Sequence, residues 1–171
     1  MRSDRSCRRP ETIALARAGQ VVAICLLTTA EGAAQSTRSQ PHCVPVGGSL
    51  TTNFVDEATT LGTATGDLQG AVSASLLGVA PGPNDAVVFT VQHHWVTAAG
   101  DTIHLNVAQA TAAPTAPGLF GIVSYPVSIA GGTGKFAGAT GTLQNIGAVD
   151  MRSQRTVFRY VGTVCFSAPQ P

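Results

Sequence analysis

The chain has 171 residues, of which 44% are hydrophobic and only 11% charged, with 19 glycines and a formal net charge of +1. Ten basic residues against nine acidic ones give no broad basic footprint of the kind nucleic acid requires. The length fits one domain with a single core.

Residues 1–34 read as a secretory signal. Arg2, Arg5, Arg8, Arg9 and Arg17 outnumber Asp4 and Glu11 ahead of an apolar run at 21–27, and the small residues Gly32 and Ala34 suit cleavage before Gln35. The apolar run is far short of the ~20 residues of a spanning helix and Glu31 interrupts its extension, so no membrane anchor is expected. Cys25 follows Ile24 rather than a small residue, which argues against a lipid-modified cysteine. Cleavage leaves 171 − 34 = 137 residues. Arg38, Lys135, Arg152, Arg155 and Arg159 then face Asp56, Glu57, Asp67, Asp85, Asp101 and Asp150, for 5 − 6 = −1. The expected location is secreted or periplasmic.

After an N-terminal extension over 35–48, the chain from 49 to 171 shows threonine-rich, β-branched runs without a helical period. Eight strands are expected, at 49–56, 60–69, 71–79, 86–97, 102–112, 119–130, 139–149 and 156–166. Between them lie explicit turn signals: Pro81, Gly82, Pro83, Asn84 and Asp85; Ala99, Gly100 and Asp101; and the segment containing Pro114, Pro117 and Gly118. Eight consecutive strands on short turns predict an all-β fold, a closed eight-stranded antiparallel β-barrel of calycin type.

Within the 86–97 and 102–112 strands, His93, Trp95, His104 and Asn106 form the best polar cluster. A two-residue turn at Ala99-Gly100 pairs Trp95 with His104 and His93 with Asn106, which puts all four on one face. The opposite face then carries His94, Val96, Ile103, Leu105 and Val107. Two placements stay open. Inside the barrel, His93 and His104 serve as proton donors or ligand contacts beside a Trp95 wall; outside, the same face packs on a neighbour or meets water. No carboxylate stands in register to complete a zinc site, and no metal is expected.

Tyr125-Pro126 falls in mid-strand, where proline cannot donate to the ladder, so a bulge or opening is expected there, with Tyr125 as a candidate pocket phenol. The next segment is the densest in glycine: Gly131, Gly132, Gly134, Gly138 and Gly141 surround Phe136. It is not a phosphate loop, because Ile129 stands where the first glycine belongs and Phe136 follows Lys135 where Ser or Thr is needed. The looser Gly132-x-Gly134-x-x-Ala137 spacing does not open a helix, given the glycines that follow. A strand, a tight glycine turn, Phe136 plugging the core and a second strand is the structural expectation. Residues 64–72 and 139–149 echo one another, Ala-Thr-Gly-x-Leu-Gln then Gly-Ala-Val, as one bending device used twice. In the last strand Tyr160 alternates with Phe158 and Gly162 as core, and Arg152, Arg155 and Arg159 decorate a solvated or inter-subunit face.

Cys43 and Cys165 remain after cleavage. An even pair in an exported chain suggests a disulfide between the first mature segment and the last strand. Two free buried thiols and a metal pair with His42 are the rival readings.

The Gly-Gly-Thr-Gly-x-Phe-x-Gly-Ala-x-Gly pattern from Gly131 to Gly141 resembles the signature of the allene oxide cyclase barrel family, and dirigent proteins share a similar glycine-phenylalanine turn. Gly66-Asp67-Leu68 upstream and the segment from Gly100 to Leu105 match in order, so the resemblance covers about 120 residues. It implies an eight-stranded barrel, commonly a trimer, that holds a small apolar or phenolic molecule and steers its cyclisation or coupling without a cofactor. The strand expected to present the cyclase glutamate offers Asn53, Asp56 and Glu57, and Leu76-Leu77 replaces the expected cysteine. Asp67 and Arg159 are the counterparts of the acidic and arginine residues of dirigent pockets. A non-catalytic carrier or an interaction barrel is the alternative class.

Overall fold

A computed structural model describes residues 41–167; the signal expected over 1–34 lies outside them. Short polar and β-branched residues alternating with apolar ones build strands whose successive side chains point to opposite faces. Ten strand segments result: β1 (His42–Phe54), β2 (Thr59–Gly66), β3 (Gly70–Pro81), β4 (Val87–Thr97), β5 (Thr102–Leu105), β6 (Ala108–Ala116), β7 (Leu119–Ser124), β8 (Pro126–Gly132), β9 (Thr140–Asp150) and β10 (Arg155–Phe166). β5 and β6 are two halves of one barrel strand, because both pair with β4. β7 and β8 likewise share β9 as a neighbour. Every sequential neighbour pairs antiparallel and β10 returns to β1, so the expected closed eight-stranded meander is the fold.

The first strand starts at His42 rather than Ser49, inside the stretch expected to be an extension. Its early residues pair with the end of β10, which places Cys43 opposite Cys165, and the two are disulfide-bonded. Cys43 is exposed, in phase with other outward residues of β1, so the bond lies on the outside of the seam where the barrel closes. Arg152, Arg155 and Arg159 are all exposed as well.

One end of the barrel is filled. Tyr160, Phe136, Ile103 and Val164 are its largest fully buried side chains. The Tyr160 hydroxyl donates to Thr65 O at 3.0 Å and accepts from Leu68 N at 3.0 Å, while Trp95 Nε1 donates to Leu68 O at 2.8 Å. Trp95 and Tyr160 meet edge to face at 5.5 Å. The glycine-rich segment does what its composition predicts: β8 ends, a single 3-10 turn at Gly134–Phe136 drives Phe136 into the core against Phe166 at 5.5 Å, and β9 begins. Gly134 has φ 53° and packs on the Asp101 carboxylate, which also accepts the Lys135 N–H at 3.3 Å; a side chain at 134 has no room there.

The internal echo does not mark one device. Its first copy contains the β2–β3 turn, and its second runs straight along β9.

Candidate functional site

The other end of the barrel is hollow. A cavity of about 120 Å³ opens there, walled by Leu50, Val72, Leu76, Phe89, Val91, Ile122, Val127, Leu143, Val149 and Phe158, with Ala74 and Ala110 leaving the space. At its rim stand Phe54 at the end of β1, Glu57 and Ala58 from the β1–β2 loop, and Met151 from the β9–β10 turn. Both rim loops are held by carboxylates that cap backbone. Asp56 accepts from Ala58 N at 2.8 Å and Thr59 N at 2.7 Å, and Asp150 accepts from Arg152 N at 2.9 Å and from the Ser153 hydroxyl at 2.7 Å. These hydrogen bonds hold both carboxyls below their usual range, the Ala58 amide being the largest influence on Asp56 and the Ser153 hydroxyl on Asp150.

The polar groups of the cavity are few and sit deep. The Tyr125 hydroxyl meets His93 Nε2 at 2.5 Å, and their rings lie 5.6 Å apart. Tyr125 also packs edge to face on Phe158 at 5.8 Å. Asn145, on β9, donates through Nδ2 to Tyr125 O at 3.3 Å. Thr52 and Thr156 share a hydrogen bond of 2.7 Å across the seam. Burial pushes His93 down to about 4, with His94 adding a smaller push, and it pushes the Tyr125 phenol up. At neutral pH the pair is therefore an uncharged phenol and an uncharged imidazole.

What aims Tyr125 inward is the break expected at Tyr125-Pro126. Ile122 lines the cavity, Val123 and Ser124 are exposed, and Tyr125 is buried again, so one extra residue interrupts the alternation. The partner strand has the same interruption: Leu105 and Ala108 are buried while Asn106 and Val107 between them are exposed. The extra residue turns the phenol toward β4 and His93.

The structure divides the expected polar cluster. His93 lines the cavity, and Trp95 forms its base, but His104 and Asn106 are exposed on the outside of the barrel. The cause is turn length. Thr97 N donates to Asp101 O at 2.8 Å and Gly100 N to Thr97 O at 2.9 Å, with Gly100 at φ 90°, so the loop is three residues, Ala98 to Gly100, rather than two. The register becomes His94 opposite His104 and Trp95 opposite Ile103. A one-residue slip exchanges the faces, which puts Ile103 and Leu105 inside with Trp95.

Asp67 is also outside the cavity, exposed in the β2–β3 turn, where Oδ2 accepts from Gly47 N at 2.8 Å. Arg159 faces outward on β10. Of the expected pocket residues, His93, Trp95 and Tyr125 come together. Asn145 and the Thr52–Thr156 pair are additions; Asn145 stands two residues after the inward Leu143, a parity visible in the sequence once β9 is placed. Gly131, Gly132, Gly134, Phe136, Gly138 and Gly141 serve the filled end, away from the cavity. Among the described residues no group of three or more His, Cys, Asp or Glu side chains is placed to hold a metal ion, and no helix is long and apolar enough to cross a membrane.

In class, then, this is a closed antiparallel barrel of eight strands, plugged at one end and hollow at the other. No family model and no curated protein matches the sequence. Among solved structures the chain is similar to that of a pterocarpan synthase dirigent protein, at 15% identity and a TM-score of 0.35, covering 82% of this chain and 99% of that one.

Proposed function

We propose that this protein is an exported barrel that binds a small apolar or phenolic molecule in its hollow end. The cavity carries this reading: an apolar wall with only a few polar groups at depth is how small-molecule sites are built, whereas a purely structural barrel is filled by its side chains. The disulfide across the seam supports export to an oxidising compartment.

Binding is favoured over chemistry by the surroundings of His93. Tyr125 and His93 are both neutral, and no carboxylate is among their hydrogen-bond partners; Glu57 stands at the rim. In a catalytic version of this reading the barrel confines a reactive compound and directs its cyclisation or coupling by shape, with no cofactor. Exposed apolar side chains on the outer face, Leu61 on β2, Ile146 on β9, and Val157 and Val161 on β10, support a homo-oligomer, the trimer that the barrel families suggest.

Native mass spectrometry of the mature protein purified from its own host tests both parts together. The reading expects a retained small neutral compound and a subunit count above one. An empty protein that also fails to take up apolar compounds in solution would move the assignment to an interaction barrel.

A further inference from the structure

The three-residue loop that exchanges the faces of the β4–β5 hairpin does more than remove His104 from the interior. A two-residue turn would put His94 and His104 on opposite faces; in the structure they are direct partners across the two strands, both exposed on the outer wall. Thr97 N donates to Asp101 O, and hydrogen-bonded and non-hydrogen-bonded pairs alternate along an antiparallel ladder. Trp95 and Ile103 are therefore a hydrogen-bonded pair, and His94 and His104 a non-hydrogen-bonded one. That is the closer kind, with Cα atoms about 4.5 Å apart and Cβ atoms about 4.5–5.5 Å apart.

The pair contributes little to the fold. His104 Nε2 reaches Thr102 Oγ1 only at 3.5 Å, the long limit of a hydrogen bond, and two imidazoles facing each other repel once both are protonated. Both exposed rings are free to turn. On the far side of His104 the next strand presents Gly131, whose missing side chain leaves that flank of the ring open. Imidazole nitrogens are ligands for late first-row divalent metals. Metal–nitrogen bonds of about 2.0 Å bring two such nitrogens on one ion to roughly 3 Å, which two rings rooted about 5 Å apart reach by rotation about χ1 and χ2. The ladder fixes the roots, so the second imidazole closes the chelate intramolecularly.

We propose that His94 and His104 form a two-imidazole chelating site on the outer wall of the barrel for a late first-row divalent ion, Cu2+ ahead of Ni2+ and Zn2+. No third His, Cys, Asp or Glu is placed with them among the described residues, so the site supplies two ligands and leaves the other positions to water or to a donor from outside. That set suits the tetragonal geometry of Cu2+, which heads the affinity order, and falls short of the four protein ligands of a structural zinc site. The site is separate from the chamber and does not depend on what the chamber binds.

Copper(II) chloride titrated into the untagged, oxidised mature chain tests it by histidine-ring NMR, because paramagnetic Cu2+ broadens the signals of the imidazoles that bind it. The chain has four histidines, and exposed His42 on β1 is the internal control for a lone surface imidazole. The His94 and His104 signals are expected to vanish together within the first equivalent of Cu2+, well before that of His42. His94→Gln and His104→Gln, both at exposed positions, should each weaken Cu2+ binding about a hundredfold, and His42→Gln should leave it unchanged. Broadening of all three exposed rings at the same Cu2+ concentration overturns the site. Loss of the His94 or the His104 signal without the other does the same, as does affinity that survives either substitution.

Discussion

At one end of the barrel the inward positions carry Tyr160, Phe136, Ile103 and Trp95; at the other they carry Thr52, Thr60, Ala74, Val91 and Ala110. Both ends have the same strands, the same alternation and the same closed hydrogen-bond ladder. Side-chain size at a few positions separates them: Leu50, Phe89, Leu143 and Phe158 also wall the hollow end, but Thr52, Ala74 and Ala110 stand among them and leave space. Large residues at one end fill the interior and anchor the two halves of the chain to each other, and small ones at the other leave room at the expense of local packing. The contrast implies that stability is concentrated at the filled end and binding at the hollow one.

The strongest test of that division acts on the seam near the filled end. Reducing the Cys43–Cys165 bond, which spans 122 residues, releases a long loop, and the chain-entropy model assigns such a loop up to about 4–5 kcal/mol. The melting temperature of the reduced protein should fall well below that of the oxidised one; an unchanged value would mean that the seam holds without it. Next, two matched truncations compare the ends directly. Phe136→Ala, at a fully buried position, should cost about 3–5 kcal/mol in denaturant unfolding. Phe89→Ala, at the half-buried cavity wall, should cost under about 2 kcal/mol. Equal losses would erase the distinction.

Acid acts on the hollow end. His93 is pushed from 6.5 to about 4 when folded, so between those values the unfolded chain binds the proton that the folded one refuses. Stability is whole above 6.5, falls by about 3 kcal/mol as pH drops toward 4, and gains no further loss from this group below that. The groups facing it are Tyr125 and His94; Asp56 and Asp150, with lowered values, act below the window. Unfolding curves across this range should lose most of their slope in His93→Leu. The smallest effect is expected from Ala110→Leu. In a filled core an added side chain strains its neighbours, but here it enters empty space, so stability should shift by no more than about 1 kcal/mol while binding of a small apolar probe such as ethylbenzene weakens.

How far this could be read from the chain depends on the kind of information. Strand number and order were legible because turns carry their own chemistry, as at Pro81 to Asp85 and the glycine segment, and because β-branched residues fill the runs between. The Tyr125-Pro126 break was legible from the missing proline donor. The faces of the His93 hairpin were not, since a loop of two or three residues is consistent with Ala98-Ala99-Gly100, and one residue decides whether His104 looks inward. Nor was the cavity. Alternation says which residues face the interior, but not whether their summed volumes fill it, and Asn145 gained meaning only when Tyr125 stood beside it.

His42 pairs with Phe166 at the plugged end, so the described chain begins and stops side by side, diametrically away from Glu57 and Met151. A short peptide joining Phe166 to His42 would make the ring of strands covalently endless at the end opposite the chamber.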